Sequence, residues 1–268
     1  MYALTQYQEA YGQTINFDKS EMIFSPNISN DAKKEFYDKL PIKINDRIQK
    51  YLGLPTQFGR SKEQDFSFIM DRIWKKLKGW KEKSLSFEGR GVLIRAVTQV
   101  IPTYYMSCFL LPKGLCEKIE RVVCSFWWGS TNTKKKIHWK NKEILFKFKH
   151  DGGMVFKSLR DFNIAMLAKQ VWRFHTNLNT LIAKCFKSKY YPHTDILEAD
   201  LGNNPNYAWR SIQNAIWPIL KGSCWRVGKG DNIRIWDDNW IPTYHSLRVL
   251  NPKRNNPHIN KVKDLIRA

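Results

Sequence analysis

The segment from Glu63 to Trp80 repeats its apolar residues at the spacing of an α-helix. The residues of this apolar stripe are Phe66, Ile69, Met70, Ile73, Leu77 and Trp80. Four cationic residues fill positions between them, namely Arg72, Lys75, Lys76 and Lys78. The spacing predicts a helix that is apolar on one side and cationic on the other.

Two further helices are predicted downstream. The second begins after Ser86, whose hydroxyl can accept a hydrogen bond from a free amide of the first turn. It should kink or end near Ile101, because Pro102 cannot donate a backbone hydrogen bond. The third runs from about Leu115 to Trp128, and its apolar residues recur at the same spacing. Three short helices with facing apolar stripes predict a small helical bundle.

The first fifty residues predict much less buried surface. A helix over Ala3 to Tyr11, ended by Gly12, is followed by a short strand over Glu21 to Ser25. A helix over Asp31 to Leu40, capped by Ser29 or Asn30, then leads to an extended segment. Isolated strands and short helices bury little apolar surface by themselves. We therefore interpret this part as one edge of a larger sheet.

The second half of the chain predicts a mixed structure. Ser158 to Phe174 returns to helical spacing and predicts a core helix. Residues 224–240 alternate between apolar and polar side chains around the turn Gly228-Lys229-Gly230-Asp231, which predicts a β-hairpin. A last helical fragment is expected over Lys261 to Arg267. The predicted fold class is therefore α+β, mainly α.

The charge of the chain favours a polyanionic partner. The sequence contains 45 Lys and Arg and 24 Asp and Glu, which gives a formal net charge of +21. So many cationic side chains repel one another in a compact protein, and nucleic acid is the commonest polyanion that relieves this repulsion. The alternative is a soluble protein that is merely basic.

The densest cationic run lies between Thr131 and Lys149. Its lysines are Lys134, Lys135, Lys136, Lys140, Lys142, Lys147 and Lys149, and Glu143 is its single acid. Trp139, Phe146 and Phe148 are interleaved with them. Lysines neutralise phosphates and aromatic rings stack on exposed bases, so the run predicts a nucleic-acid surface. The alternative is a solvated loop whose aromatic rings are tucked into the bundle.

Other classes of site have no support in the sequence. The five cysteines are odd in number and include no C-x-x-C pair, so neither a disulfide framework nor an ordinary zinc site is predicted. No P-loop, H-E-x-x-H or Ser/His/Asp order is present, and no small-molecule substrate is evident. The most apolar stretch, Ala96 to Leu111, is short and contains Pro102, so we interpret it as core rather than membrane. Met1 does not lead into an apolar run, which argues against a secretory signal.

An ordered series of short motifs carries a family resemblance along nearly the whole chain. The motifs include Gly12-Gln13-Thr14-Ile15-Asn16, Tyr51-Leu52-Gly53-Leu54-Pro55, Leu85-Ser86, Gly89-Arg90, Ile101-Pro102-Thr103-Tyr104, Phe126-Trp127-Trp128-Gly129, Gly152-Gly153, Trp209-Arg210-Ser211-Ile212, Trp225-Arg226-Val227-Gly228 and Trp240-Ile241-Pro242. In this order they resemble the reverse transcriptase of plant LINE-type (non-LTR) retrotransposons, starting just after its catalytic core. The resemblance implies three parts: residues 1–56, the end of the palm with a primer-grip-like turn; residues 57–150, a thumb-like helical bundle with a basic tail; and residues 151–268, a connector region.

The resemblance also implies which residues contact nucleic acid and which chemistry is absent. The expected contacts are Tyr51, Gly53, Arg72, Lys75, Lys76, Lys78, Lys81, Arg90, Lys134, Lys135, Lys136 and Lys140. The family uses Mg²⁺ held by aspartates, one pair of which sits in a Tyr/Phe-x-Asp-Asp turn before the residues that match Gly12. This sequence has no such turn there, so no catalytic residue, metal ligand or cofactor is predicted. Asp237-Asp238 follows a downstream Trp/Ile segment and is expected to cap a turn.

Three hypotheses for function follow. The first is a catalytically empty fragment of a reverse transcriptase that keeps affinity for nucleic acid. The second is an incomplete gene model of a full RNA-directed DNA polymerase. The third is a decayed transposon product without a biochemical role. The compartment is not determined by the sequence, although Lys134 to Lys136 favours the nucleus for an intracellular product.

Overall fold

The protein has a mainly helical α+β fold, as the sequence predicted. The computed structural model describes residues 2–14, 16–25, 27–40, 42–45, 50–81, 85–130, 136–154, 156–242, 247–249 and 259–266. The helices are α1 (Tyr2–Tyr11), α2 (Asn30–Lys39), α3 (Lys62–Asp65), α4 (Ser67–Lys81), α5 (Phe87–Leu93), α6 (Thr103–Met106), α7 (Lys113–Trp127), α8 (Lys142–Leu145), α9 (Leu159–Thr176), α10 (Leu181–Tyr190), α11 (Tyr207–Gln213) and α12 (Trp217–Gly222). The strands are β1 (Glu21–Met22), β2 (Lys43–Ile44), β3 (Lys50–Tyr51) and β4 (Leu54–Pro55).

The chain divides into two compact units, residues 1–75 and residues 76–268. Helix α4 contains residues of both units, and the rest of each unit is described by itself below. The domain boundaries that the resemblance implies, after residues 56 and 150, stay predictions.

The start of the first unit buries little, as its sequence predicted. Strands β1 and β2 pair in parallel, with Glu21 opposite Lys43 and Met22 opposite Ile44. Helix α2 is capped by Ser29, whose hydroxyl accepts a hydrogen bond from the Ala32 amide. Neither α1 nor α2 contains a buried residue. A two-stranded sheet of this size is not stable by itself in water.

A tight hairpin joins β3 to β4 in the first unit. Lys50 pairs with Pro55 and Tyr51 with Leu54 in an antiparallel register. The two residues between the strands, Leu52 and Gly53, have φ angles of 50° and 79°. Positive φ at both central positions matches the right-handed twist of paired strands. Tyr51 and Leu52 are therefore held at an exposed tip.

Helix α4 confirms the predicted apolar stripe. Phe66, which precedes the helix, and Ile69, Ile73 and Leu77 within it are completely buried. The exposed residues between them include Arg72, Lys75, Lys76 and Lys78. Burial on one side and charge on the other are what the helical spacing predicted.

The second unit contains the other two predicted helices. Ser86 caps α5, because its hydroxyl accepts from the Gly89 amide at 3.1 Å. The helix widens into a π turn over Ile94–Thr98, in which the Gln99 amide donates to the Ile94 carbonyl at 2.9 Å. The helical run thus ends shortly before Pro102, near the predicted position.

Helices α5 and α7 pack through aromatic rings and one glycine. The Phe87 ring meets the Trp127 ring edge-on at 5.4 Å. Gly91 is buried there, and a Cβ at this position would stand 3.1 Å from Trp127 Cζ3. A glycine in a helix costs about 1 kcal/mol of helix propensity. Its presence in α5 is explained by the close approach of the Trp127 ring.

The buried amide of Asn163 ties the segment 106–111 to α9. Its Nδ2 donates to the carbonyl oxygens of Met106 at 2.8 Å and Phe109 at 2.9 Å. Its Oδ1 accepts from the Leu111 amide at 2.7 Å. The side chain is completely buried. A single amide therefore satisfies three backbone groups of an irregular segment, each of which is costly to leave unpaired.

Helix α11 holds the same segment from another direction. Ser211 Oγ accepts from the Leu110 amide at 2.9 Å, and the Tyr207 hydroxyl donates to the Leu110 carbonyl. The Tyr207 ring also stacks on the ring of Phe109, with centroids 5.8 Å apart. The segment is thus fixed by α9 and α11 together.

A second core lies between α9, α10 and α11. It is centred on Trp209, which is completely buried and stacks on the rings of Tyr190 at 4.8 Å and Tyr191 at 5.5 Å. The Trp209 indole N–H donates to the Leu201 carbonyl.

The apolar stripe predicted for α9 is only partly core, because Leu159 and Ala168 are buried and Phe162 and Met166 half-buried, but Ala165 and Trp172 are exposed. Leu167, Val171 and Phe174 supply the buried side of the helix instead.

The predicted β-hairpin over residues 224–240 is wrong in its pairing. The Trp225 amide donates to the Asn239 carbonyl at 2.7 Å rather than to the segment around Ile233 and Ile235. Instead, the Val262 amide donates to the Ile233 carbonyl at 2.9 Å, and the Ile235 amide donates to the Asn260 carbonyl at 3.1 Å. The alternation was real, because Ile233, Ile235 and Val262 form a small buried cluster. Its partner segment lies too far along the chain for local alternation to reveal.

Replacing Asn163 tests the amide contact. We expect Asn163→Leu, which keeps the volume but removes the polar atoms, to lower the free energy of unfolding by roughly 3 kcal/mol or more, because three backbone groups lose their partners. Urea unfolding followed by circular dichroism measures the shift in midpoint. Lys169→Ala on the exposed side of α9 is the matched control and should change the free energy by at most about 0.5 kcal/mol. Equal stability of the two variants would contradict the assignment.

Candidate nucleic-acid interface

Residues 136–150, called the basic loop below, expose large apolar side chains beside cations. The exposed fractions are 71% for Ile137, 76% for Trp139 and 67% for Phe148. Lys136, Lys140, Lys147 and Lys149 are exposed as well. The alternative prediction, that all three aromatic rings of this run are tucked into the bundle, is therefore wrong for Trp139 and Phe148.

The basic loop is anchored at its middle by α8. Asn141 caps this short helix, with its Oδ1 accepting from the Glu143 amide at 3.3 Å. Leu145 is buried, and its carbonyl accepts from the amides of Met154 and Phe156. These contacts attach the loop to the chain that leads into α9.

Lys142 is a structural residue of the loop rather than a free cation. Its Nζ lies 2.5 Å from Oε2 of Glu120, a buried residue of α7. The other oxygen of Glu120 accepts from the amide of Leu159, the first residue of α9, at 2.8 Å. A carboxylate at the amino end of a helix is favourable, because it meets both the free amide and the positive end of the helix dipole. Glu120 therefore joins α7, α8 and α9.

A tight turn over residues 147–153 presents the end of the basic loop. The Gly153 amide donates to the Phe148 carbonyl at 2.9 Å, and a Cβ on Gly153 would stand 2.1 Å from the Lys147 carbonyl oxygen. Only glycine fits this close approach. On the turn, the rings of Phe148 and His150 stack with centroids 5.6 Å apart and planes 9° apart. The result is a flat exposed aromatic pair that alternates along the chain with Lys147 and Lys149.

The other predicted contact residues lie in several places. In the first unit Tyr51, Arg72 and Lys75 are exposed and Gly53 is half-buried. In the second unit Lys76, Lys78, Lys136 and Lys140 are exposed and Arg90 is half-buried. Lys81 ends α4, and Lys134 and Lys135 lie outside the described residues. The structure brings Lys136 and Lys140 together with the exposed rings on one loop.

Two histidines of the loop were missed by sequence reasoning. His150 stacks on Phe148, and the His138 ring stacks on Trp128 at 6.0 Å. His138 is next to Trp139, and His150 is two residues after Phe148. A histidine this close to an aromatic residue in a cationic run is the sequence signal that could have identified both.

The Asp237-Asp238 pair has a local role. Asp238 Oδ2 accepts from the Arg234 amide at 2.7 Å, and Oδ1 lies 3.4 Å from Arg234 Nη2. The carboxylate closes the turn, as predicted. In the part of the chain that the structure describes, no group of three His, Cys, Asp or Glu side chains could hold a metal ion. Within the same residues, no helix combines the length and apolar character required to cross a membrane.

Two cysteines of α7 are deeply buried. Burial raises the pKa of the Cys116 and Cys124 thiols from 9.0 to about 11. Because the thiolate is the reactive form, these side chains are inert at neutral pH. They serve as apolar core residues rather than as nucleophiles.

Comparison with known proteins places the chain in a plant family. No family model matches this chain. It is 40% identical over 152 residues to a protein of Arabidopsis thaliana described as uncharacterized mitochondrial protein AtMg00310, and the match covers 56% of this chain and 99% of that protein. The chain belongs to the same family as this mitochondrial protein.

A longer protein of the same plant is also similar. It is described as putative ribonuclease H protein At1g65750 and is 30% identical to this chain over 206 residues. The match covers 75% of this chain but only 33% of the longer protein. The chain therefore corresponds to one segment of that relative.

The buried thiols give a pH-dependent prediction. A pKa that is higher in the folded than in the unfolded state makes folding more favourable below pH 9, and this contribution is lost as the pH rises toward 11. We expect the free energy of unfolding to fall over this range by up to about 2 kcal/mol per thiol. Urea unfolding at several pH values measures it, and Cys116→Ala/Cys124→Ala should show a smaller fall. The exposed Cys185→Ser is the control, and an equal fall in all three proteins would contradict the assignment.

Proposed function

We propose that this chain is a nucleic-acid-binding segment derived from a plant LINE-type retrotransposon reverse transcriptase. Three observations support the proposal: the net charge of +21, the ordered motifs that resemble this family, and the similarity to a relative whose name describes a putative ribonuclease H. That relative is named for chemistry on nucleic acid. Of the functions of this family, nucleic-acid binding is the one that the cationic and aromatic residues of this chain can support.

The observation that carries the proposal is the basic loop. Trp139 and Phe148 are exposed to 76% and 67%. They are flanked by Lys140, Lys147 and Lys149, which are also exposed. Exposed rings stack on bases and lysines release counterions from phosphates, so the two features together suit a single strand or an unpaired end.

We further propose that this chain does not polymerise DNA on its own. Phosphoryl transfer by two metal ions needs convergent carboxylates that clamp the attacking and leaving oxygens. The Tyr/Phe-x-Asp-Asp turn that would supply them is absent from the sequence, and Asp238 is engaged in its own turn. Primer extension assayed with magnesium tests this, and any extension by the purified chain would overturn it.

Removing lysines from the basic loop should weaken binding and reduce its salt dependence. We expect Lys140→Ala/Lys147→Ala/Lys149→Ala to lower affinity for a single-stranded RNA on the order of tenfold or more and to reduce the slope of log affinity against log salt by about 2, at roughly 0.7 per lost phosphate contact. Fluorescence anisotropy over a salt series measures both. Lys184→Ala/Lys189→Ala/Lys229→Ala removes the same charge elsewhere and is the control. Equal losses of affinity in the two variants would show that binding depends on net charge alone and would contradict a specific role of the basic loop.

The aromatic rings should contribute binding free energy that added salt does not remove. We expect Trp139→Ala/Phe148→Ala to weaken single-strand binding by roughly 1–3 kcal/mol per stacked base while leaving the salt slope unchanged. Because both rings are exposed, the unfolding midpoint should stay near that of the unmodified protein. Trp217→Ala, which removes another half-exposed tryptophan from α12, is the control. Unchanged affinity in the loop variant would exclude stacking.

A further inference from the structure

The turn over residues 147–153 holds a histidine at the end of the basic loop. The Phe148 carbonyl accepts hydrogen bonds from the amides of Asp151 at 3.1 Å and Gly153 at 2.9 Å. Gly152 closes the turn with a φ angle of 76°, in the left-handed region that glycine adopts without strain. Because these contacts fix the backbone on both sides of His150, its ring has a defined place on the loop.

The His150 ring is held against Phe148 and is still open to solvent. The two rings are nearly parallel, with their planes 9° apart and their centroids 5.6 Å apart. The His150 side chain is nevertheless 77% exposed. Phe148 thus supports the imidazole from one side only, and a base or a phosphate can reach it from outside the protein without a change in the fold.

Asp151 is the ion-pair partner of His150 on this turn. His150 Nε2 lies 3.4 Å from Asp151 Oδ2, and His150 forms no other ion pair within the described part of the chain. Lys147 and Lys149 lie on the same turn and are exposed. When the imidazole is neutral, the Asp151 carboxylate therefore opposes these two lysines in attracting a phosphate.

Helix α8, which precedes the turn, adds no charge partner for His150. The two charged residues of this helix are Lys142 and Glu143. Lys142 is paired with the buried carboxylate of Glu120, and Glu143 is exposed in the first turn of the helix. The charges that His150 meets thus come from its own turn.

Protonation of His150 would change the charge of this turn at its most exposed point. An imidazole side chain ordinarily gains its proton between about pH 8 and pH 5. The charged ring would neutralise Asp151 and stand as a third cation beside Lys147 and Lys149. A polyanion is attracted more strongly to the turn in that state, most of all at low salt. Because linkage is reciprocal, a bound polyanion favours the protonated imidazole by the same factor.

We propose that His150 takes up a proton when the basic loop binds nucleic acid, so that affinity for a single strand rises as the pH falls from about 8 to about 5.5. The inference rests on the proposed function and assigns a regulation to the same surface. The sign follows from linkage, because the complex binds more protons than the free protein and is therefore favoured at the lower pH. At the alkaline end of this range the imidazole is neutral in both states, and the gain in affinity is absent.

Replacing His150 by phenylalanine separates the proton from the stacked ring. His150→Phe keeps an aromatic ring beside Phe148 but removes the group that is protonated. His193→Phe changes an exposed histidine outside the loop and is the matched control, and His138→Phe changes the other described histidine of the loop. The ligand is a single-stranded oligouridine, because neither uracil nor the phosphodiester changes its charge between about pH 5.5 and 8. Fluorescence anisotropy at constant ionic strength measures affinity, and the thermal midpoint at both pH values verifies that each protein is folded.

We expect the unmodified protein, His193→Phe and His138→Phe to bind about three- to fivefold more tightly at the acidic end of the range, the effect of one exposed charge pair. His150→Phe should bind equally at both pH values, with an affinity close to that of the unmodified protein at about pH 8. A gain in His150→Phe as large as in the other proteins, or a gain lost in either control instead, would overturn the inference. Binding by the unmodified protein without any pH dependence would overturn the inference alone. No binding at either pH would overturn the proposed function with it.

Calorimetry counts the proton directly. The heat of binding is measured near the middle of this pH range in buffers with different heats of ionisation, and its variation among buffers gives the number of protons taken up. The unmodified protein should take up roughly a third of a proton, the amount that a three- to fivefold linkage requires, and His150→Phe should take up none. A residue that only supported the turn would leave proton uptake unchanged when replaced. Equal uptake by the two proteins would therefore overturn the inference.

Discussion

The buried amide of Asn163 is the polar contact on which the second unit depends. It satisfies the carbonyls of Met106 and Phe109 and the amide of Leu111, three groups that no regular helix or strand would pair. Removing any one of these partners inside an apolar core is costly, because the unpaired group has left water without compensation. Since Asn163 lies in the second turn of α9, the segment after Pro102 and the start of this helix are fixed to each other.

Glu120 is a second buried polar side chain that joins separate elements, and its contacts reach the basic loop. One oxygen accepts from the first amide of α9 and the other pairs with Lys142, the first residue of α8. The basic loop is therefore carried by a buried carboxylate rather than by apolar packing alone. Leu145, Gly153 and Phe156 close the base of the loop, so its rings are exposed because the loop is held and not because it is loose. Because the loop is already held in place, less conformational entropy is lost when it binds a ligand.

Much of this architecture could be predicted from the sequence, because helical spacing reports burial directly. The stripe of α4, the Ser86 cap and the end of α5 before Pro102 depend on residues a few positions apart. The pairing of Ile233 and Ile235 with residues 260–262 and the amide contacts of Asn163 could not be predicted, since they join residues distant in sequence. In the candidate site, the charge and the aromatic residues could be predicted from the sequence, but only the structure separates the paired Lys142 from the exposed lysines.

Photochemical cross-linking of the purified chain to a single-stranded RNA, followed by peptide mapping, tests the central claim most directly. If the basic loop is the binding surface, cross-links should concentrate at Trp139 and Phe148, with His138 and His150 as secondary positions. Competition with unlabelled RNA should remove them together. Cross-links spread over the exposed residues of α10 and α12, with none in residues 136–150, would contradict the account.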